Sequence, residues 1–334
     1  MTQQTSAPEA LAVAGSDEIP APDQGNSKKE PKRRTRELHD ARTGWAFMAP
    51  FTIAFLLVFL IPIALSVYKS FFKVVSTSGG LYGGGDLTNH FVGLQNYTDV
   101  ITNQRFWLGM LRVLGYTAIQ VPIMIIAALA LALVLDSYLT KHVTVYRLGY
   151  FLPFAIPGIV AAMIWLYLYS PEISPIVSLL RDMGLPIDFM APKVILASMA
   201  NMTTWTYTGY NMLIFLAALQ AIPNELSEAA RIDGATGFQI VMKVKVPLVR
   251  GAALLAVLLS IVGTIQLFNE PTVMSVVNPW MGADYVPMMM AYNTMMGTLT
   301  PSGDGPASAV SIVMAVVAGV LAVIYALVDR KVSK

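Results

Sequence analysis

The sequence predicts an all-α, polytopic membrane protein with six transmembrane helices. Three observations carry that prediction. Only 13% of the 334 residues are charged, while 55% are hydrophobic; an ordinary soluble domain carries roughly 25% charged residues. The apolar residues gather into six runs near the length of ~20 that a spanning helix requires. Lys and Arg are distributed unequally between the connections on alternate sides of those runs.

Residues 1–43 are polar, with scattered Pro, Ser, Gln and Lys and no apolar periodicity. Such a composition buries too little surface to offset chain entropy, so it reads as a disordered tail. It closes on the basic cluster KKEPKRRTRELHDAR. The first span follows, roughly Trp45–Phe71, and is long enough to remain in a bilayer. It therefore reads as an anchor, not as the core of a cleaved signal, and Arg33-Arg34 is not read as an export signal. The second span is about Val113–Leu135, the third Leu148–Tyr169 and the fourth Val194–Leu219. The fifth is about Leu248–Phe268 and the sixth Ala307–Val328. Pro62, Pro122, Pro153 and Pro157 fall inside these runs, where neighbouring helices and local adjustments re-satisfy the freed carbonyls. Residues 44–334 thus form one six-helix transmembrane domain.

Sixteen Lys and Arg lie on the side of the N-terminus. The other side holds six: Lys69, Lys73, Arg105, Arg112, Arg181 and Lys193. The stretch Ser275–Pro306 has none. The asymmetry places both termini in the cytoplasm. The glycine-rich connection STSGGLYGGGDLTNH is then external. No Lys-Ser/Thr follows it at phosphate-loop spacing, and no nucleotide-binding motif occurs elsewhere. Work against a gradient would need an ATPase on another chain.

Several function classes are excluded. A net charge of +2 gives no case for nucleic-acid binding, and the absence of cysteine removes disulfides and thiolate chemistry. His39, His90 and His142 are far apart, and no span holds a catalytic constellation. The methionines at Met288–Met290 and Met295–Met296 read as soft packing near an external gate, not a metal site. Arg112 reads as a residue that snorkels to the interface.

The charged insert is EAARIDGATGFQIVMKVKVP, Glu228–Pro247, within a cytoplasmic loop spanning residues 222–247. Asn224 reads as an N-cap with Glu225 in the first turn. Leu226, Ala229, Ala230 and Ile232 make a small, apolar face, and Gly234 suits a left-handed helix end. Thr236 and Gln239 have capping-box spacing, and Pro247 marks the junction with the fifth span. The result is two short helices at the membrane surface. A DNA-reading helix pair could not reach a groove there. A plain solvated loop needs neither the paired alanines nor the glycine turn.

The insert resembles the cytoplasmic EAA loop of binding-protein-dependent ABC importer permeases. Glu228, Ala229, Ala230, Gly234 and Pro247 fall at the family spacing; Val244 and Val246 stand where Ile and Leu are usual, and Arg250 where a second proline is frequent. RLGYFLPFAIPGIVAAMIWLYLYSP (Arg147–Pro171), QAIPNELSEAARIDGA and FVGLQNYTDV are similar to the carbohydrate subgroup. The resemblance covers Trp45–Lys331 and is nearest to the maltose-permease-like first member of a permease pair. It implies an ABC type I importer permease fold in a bacterial plasma membrane. It also implies that Glu228, Ala229, Ala230, Arg231, Asp233, Gly234 and Pro247 couple to an ATPase. Implied partners are a second homologous permease, an ATPase dimer that binds ATP and Mg, and an extracellular solute-binding protein. No cofactor is expected in this chain.

Polar and aromatic residues within spans point to a substrate path, since they are costly in lipid and usually face a cavity. The fourth span offers Thr203, Trp205, Thr206, Tyr207 and Tyr210; the fifth offers Ser260, Thr264, Gln266 and Asn269. By resemblance, Thr203, Thr206, Tyr207, Tyr210, Ser260 and Thr264 match positions lining the sugar site of maltose-type permeases, although Asn is common where Thr203 stands. A packing or interface role for the same residues stays open. The expected solute is a di- or oligosaccharide, with a glycerol-phosphate derivative as runner-up; the lack of basic residues in the external loop favours a neutral sugar. The alternative is a stand-alone secondary transporter. It would need a carboxylate inside a span, and the span cores as delimited hold none.

Overall fold

Several helices in this chain bend or stop at a proline or a polar break, and these breaks set the architecture. The computed structural model describes residues 33–76, 87–137 and 142–332, which divide into one unit up to Pro62 and another from Ile63 onward.

In the first unit α1 (Arg33–Phe55) leads into a π-helical turn, Leu56–Leu60, and the start of α2 (Ile61–Lys69). The helix begins at Arg33, inside the tail expected to stay disordered to residue 43. The segment before Trp45 is rich in unbranched helix formers, which carry the helix beyond the apolar run. Residues 1–32 lie outside the described residues. No side chain from Trp45 to Lys69 is buried, and Phe51, Phe55 and Phe59 form an i, i+4 ladder with centroids 6.1 and 5.5 Å apart. An exposed helix that is apolar all round suits lipid.

In the second unit β1 (Phe72–Ser76) and β2 (Leu87–Phe91) pair antiparallel, with Phe72 opposite Phe91. This hairpin corrects the all-α expectation. Its cause is local, because aromatic and β-branched residues in FFKVVS favour extended backbone. The glycine-rich centre, residues 77–86, lies outside the described residues. Asn96, at the start of α3 (Gln95–Thr102), ties the hairpin down by donating to the carbonyls of Ser70 and Phe72, both at 2.8 Å. Then come α4 (Gln104–Leu135) and α5 (Val143–Phe151). A 3-10 turn, Leu152–Ala155, separates α5 from α6 (Gly158–Tyr169). The third span is therefore not one helix: the two parts meet at 96°. Pro157 supplies no N–H, and Ile156 before it is held extended at ψ 132°.

After α7 (Pro175–Asp182), α8 (Ile195–Gln220) is continuous. Past it lie α9 (Asn224–Ile232), α10 (Gly237–Ile240), a π turn at Val241–Lys245, and α11 (Val246–Leu248). The chain closes with α12 (Arg250–Ile265), α13 (Asn269–Val277), α14 (Pro287–Met295) and α15 (Asp304–Val332). Both π turns have one cause. Pro62 and Pro247 each follow a π turn that contains the carbonyl four residues earlier, at Val58 and Lys243. Widening the turn moves that carbonyl off the proline ring.

Four stretches among the described residues are long and apolar enough to cross a membrane: Arg42–Lys69, Gln104–Leu135, Arg250–Val277 and Asp304–Leu327. The bent pair Val143–Ala155 and Gly158–Tyr169 makes a fifth if it is one span. α8 is long, but its polar middle keeps it out of that set.

α4 lies along α8 over most of its length, and two apolar cores form on this pair. Near the hairpin, Phe106, Met110 and Val113 pack with Ile195, Met199, Val286, Met289 and Val310. Near α9, Val121, Met124 and Ala128 pack with Met212, Phe215, Leu216 and Val249. Met288–Met290 join the first core, whereas Met295 and Met296 are exposed. Arg112 does not snorkel. It donates to the Tyr285 carbonyl at 2.9 Å and lies 4.4 Å from the centre of its ring. Burial pushes the Tyr285 phenol above its ordinary pKa, opposed by that guanidinium.

On α8 the buried Gly209 meets the backbone of α5, and a Cβ there would fall on the Tyr150 carbonyl. Gly209→Ala is expected to lower stability by about 1–3 kcal/mol or more. Gly115→Ala, which has open space, should be neutral. Thermal unfolding of the two variants in one detergent checks this, and equal midpoints would refute the close approach.

Candidate functional site

Between the two cores lies a cavity of about 230 Å³. It sits at mid-helix: Gln120, Tyr207 and Thr264 line it, each within one residue of the midpoint of Gln104–Leu135, Ile195–Gln220 or Arg250–Val277. Helical periodicity selects its α8 wall. Thr203, Tyr207, Tyr210 and Asn211 fall at i, i+4, i+7 and i+8, one face of a helix. Trp205 and Thr206 point elsewhere and do not line the cavity. Trp205 packs edge-on to Trp165 at 5.8 Å, and the Thr206 hydroxyl donates to the Met202 carbonyl at 3.0 Å. From α12 and the break after it come Ser260, Thr264, Gln266 and, at the start of α13, Asn269. Seven of the nine residues proposed for the path therefore line one cavity.

The hydroxyls are largely self-satisfied. Ser260 donates to the Ala256 carbonyl at 2.7 Å and Thr264 to that of Ile261 at 2.9 Å. Thr117 on α4 donates to Thr264 Oγ1 at 2.8 Å, which ties α4 to α12. Such groups keep oxygen lone pairs free to accept. The broken third span adds an aromatic edge. Phe154, in its 3-10 turn, stacks on Tyr210 at 4.7 Å and meets Tyr207 edge-on at 5.7 Å.

Among the wall residues that were not anticipated, three matter for polarity. Tyr116 and Gln120 line the cavity from α4, and Glu270 lines it from α13. Polar residues inside the second apolar run were the available signal for the first two. Glu270 lay beyond the fifth span as delimited at Phe268. In the structure the chain turns at Gln266–Phe268, and α13 restarts in the same apolar stretch, Arg250–Val277. The expectation that no span holds an acidic residue is thus corrected. The Glu270 carboxylate accepts from Thr203 Oγ1 at 3.0 Å.

The second candidate feature is α9, at the opposite end from the hairpin. It buries no residue of its own. Glu228, Ala229, Arg231, Asp233, Gly234 and Pro247 are exposed and Ala230 is half-buried; Ile232 is 87% exposed. Pro223 caps the helix and Asn224 is its first residue, a shift of one from the expected N-cap. Pro223 has its φ fixed by the ring, at −57°, and takes the non-helical ψ of 134° that a cap needs. The far end is a Schellman turn: Ala235 N–H bonds the Ala230 carbonyl, Gly234 N–H bonds that of Arg231, and Gly234 has φ +82°. Thr236 and Gln239 form the reciprocal capping box. The loop is anchored behind α9, where Ile240 is buried and Lys245 pairs with Asp136 at the end of α4 at 2.5 Å. At the hairpin end Lys69, Lys73 and Arg105 pair with Asp304, Asp99 and Asp284.

Residues 100–334 match the family model described as binding-protein-dependent transport system inner membrane component. Among curated relatives, the chain is 31% identical to the arabinooligosaccharides transport system permease protein AraP of Bacillus subtilis, over 69% of this chain and 71% of that one. It is 30% identical to the lactose transport system permease protein LacF of Rhizobium radiobacter, over 68% and 74%. It is 27% identical to the trehalose/maltose transport system permease protein MalF of Thermococcus litoralis, over 87% and 95%. A crystal structure of a bacterial ABC transporter that imports the acidic polysaccharide alginate has the same fold, with TM-score 0.70 at 18% identity over 91% of this chain and 100% of that one.

The Lys245–Asp136 pair is less than one-fifth exposed on both sides, so removing one partner leaves a poorly hydrated charge. Lys245→Ala is expected to cost about 1–3 kcal/mol, below the 3–5 of a fully buried pair. The double exchange Asp136→Lys with Lys245→Asp should recover most of it. Thermal midpoints of the three proteins test this, and a single variant as stable as the parent would refute it.

Proposed function

The chain belongs to the family of binding-protein-dependent transport system inner membrane components, and on that premise we propose that it is a permease subunit of an ATP-driven importer of a di- or oligosaccharide. One observation carries the choice of solute. The mid-helix cavity is walled by hydroxyls, amides and tyrosine rings and lies between two apolar cores. Sugars are recognised by such groups, with hydroxyls hydrogen-bonded and C–H faces laid on aromatic rings. Relatives named for arabinooligosaccharides, lactose and trehalose/maltose support the same class.

Six spans follow if the bent pair counts as one and α8 as another. The 26 residues of α8 extend about 39 Å at 1.5 Å per residue, more than the ~30 Å of hydrocarbon. Both termini are cytoplasmic on the distribution of Lys and Arg. α9 then faces the cytoplasm and docks on one subunit of an ATPase dimer. A second, homologous permease completes the path, and an extracellular binding protein delivers the sugar. ATP and Mg belong to the ATPase. Ala229, Ala230 and Ile232 would make the close apolar contact, with Glu228, Arg231 and Asp233 at its polar rim. The capping box and the Lys245–Asp136 pair would pass the motion of α9 toward α4 and α12. An ATPase can shift the permease between inward-open and outward-open states only through contacts that differ between them.

Purification from native membranes in mild detergent should bring down an ATPase and a second permease, and vesicle uptake of labelled lactose, maltose or arabinotriose should require ATP. Uptake that persists without ATP and collapses with an ionophore would favour a stand-alone secondary transporter. Gly234→Val places a β-branched residue at φ +82°, where only glycine is unstrained. That variant is expected to assemble and hydrolyse ATP while losing most uptake; normal coupled uptake would count against α9 as the docking element.

A further inference from the structure

A short helix between two spans carries an exposed apolar stripe. In α7, Ile176, Leu179, Leu180 and Met183 at the C-cap fall at i, i+3, i+4 and i+7 and so share one side. Leu180 is half-buried; the other three are 45%, 60% and 66% exposed. Ser178 and Asp182 stand on the opposite side, and Val177 is the residue that the helix buries. The segment is tied at both ends to the ends of spans. The Ser174 hydroxyl accepts from the Val177 N–H and donates to the Leu168 carbonyl in the last turn of α6. Arg181 reaches back to donate to the Pro171 carbonyl at 3.2 Å. Beyond the helix, Phe189 stacks on Tyr169 with centroids 4.8 Å apart, and its carbonyl accepts from Ser198 in the first turn of α8. α7 is thus held beside the ends of α6 and α8, and its eight residues are too few to cross a membrane.

We propose that α7 lies in the outer-leaflet interface of the membrane, with Ile176, Leu179 and Met183 in lipid and Ser178 and Asp182 toward water. The proposal rests on the topology given above, in which α6 and α8 belong to spans and their connection is external. A short helix with an apolar stripe on one side and polar residues on the other is the pattern of a helix lying in the interface plane. Left in water, the stripe would be a contiguous apolar patch of the kind that marks a binding or membrane surface. Its composition separates those two. The stripe is wholly Ile, Leu and Met, whereas the energetic centres of protein interfaces are enriched in Trp, Tyr and Arg. Acyl chains suit it better than a second permease or a binding protein. The rings beside it agree: Trp165 packs on Tyr169 at 5.2 Å and Tyr169 on Phe189, and Trp and Tyr gather at the membrane boundary. Seated in lipid and tied to the last turn of α6, α7 fixes the depth of that helix beyond the break in the third span.

The chain holds no cysteine, so single cysteines can be spin-labelled without background when the partner subunits are also cysteine-free. The test is accessibility in the assembled permease–ATPase complex in nanodiscs. Labels at Ile176→Cys, Leu179→Cys and Met183→Cys should be open to oxygen and shielded from a water-soluble nickel chelate. Their depth should be about 5–10 Å into the headgroup and acyl boundary. Labels at Ser178→Cys and Asp182→Cys should show the reverse. A stripe open to the nickel chelate overturns the proposal. So does a stripe closed to both reagents, which means that another protein covers it. The topology is checked separately with a membrane-impermeant maleimide on sealed right-side-out vesicles, where Asp182→Cys should react from outside. Reaction from the cytoplasmic side alone overturns the topology itself, and the outer-leaflet seat with it, whatever the depth of the stripe.

Discussion

Lipid offers no hydrogen bonds at mid-membrane, so a polar side chain there needs a partner within the protein or a place on a cavity. The polar run of α8 meets that demand mostly within its own helix. Thr206, Thr208 and Asn211 each donate to the carbonyl four residues back. What remains on the α4 side meets neighbouring helices, as in the bond from Thr203 to Glu270 and the bond from Thr117 to Thr264. These contacts hold α4, α8 and α12–α13 around a common seam. The two apolar cores flank the cavity in this seam.

Irregular backbone is tolerated at this depth only where it is packed in protein or lines a cavity, and both breaks in the bundle obey that rule. The turn between α5 and α6 brings Phe154 against Tyr207 and Tyr210. The turn at Gln266–Phe268 carries Glu270 to the wall. A straight third or fifth span would deliver neither. The fit of α8 against the broken third span is close enough that a glycine, Gly209, is needed where the backbones meet.

The α9 loop follows the opposite logic. Its helix buries nothing, while the segments beyond it are fixed by capping, by Ile240 and by the Lys245–Asp136 pair. An exposed face on a stiff mount suits a part on which another protein pushes. At the hairpin end, ion pairs tie α2 to α15, β1 to α3 and α4 to the segment before α14, beside the first apolar core.

Much of this was legible from residue order because the signals are local. Apolar runs mark spans, Gly234 marks a left-handed helix end, and Thr236 with Gln239 marks a capping box; each depends only on neighbours within a turn or two. The 3.6-residue period could even have separated Thr203, Tyr207 and Tyr210 from Trp205, though not from Thr206, which stands three residues after Thr203 and four before Tyr210. Other features needed the fold. Tyr116 and Gln120 count as wall residues only once α4 is seen to lie against α8, since one sequence position does not say which neighbour it meets. Glu270 stood outside the fifth span until the turn before it was seen to keep α13 in the same stretch. The break at Pro157 is visible as a proline, but not its 96° angle, which packing against α8 decides. Sequence by itself determined the membrane class, the α9 helix and its glycine end. Tertiary structure alone decided which polar side chains share a cavity, because that is set by contacts between helices far apart in the chain.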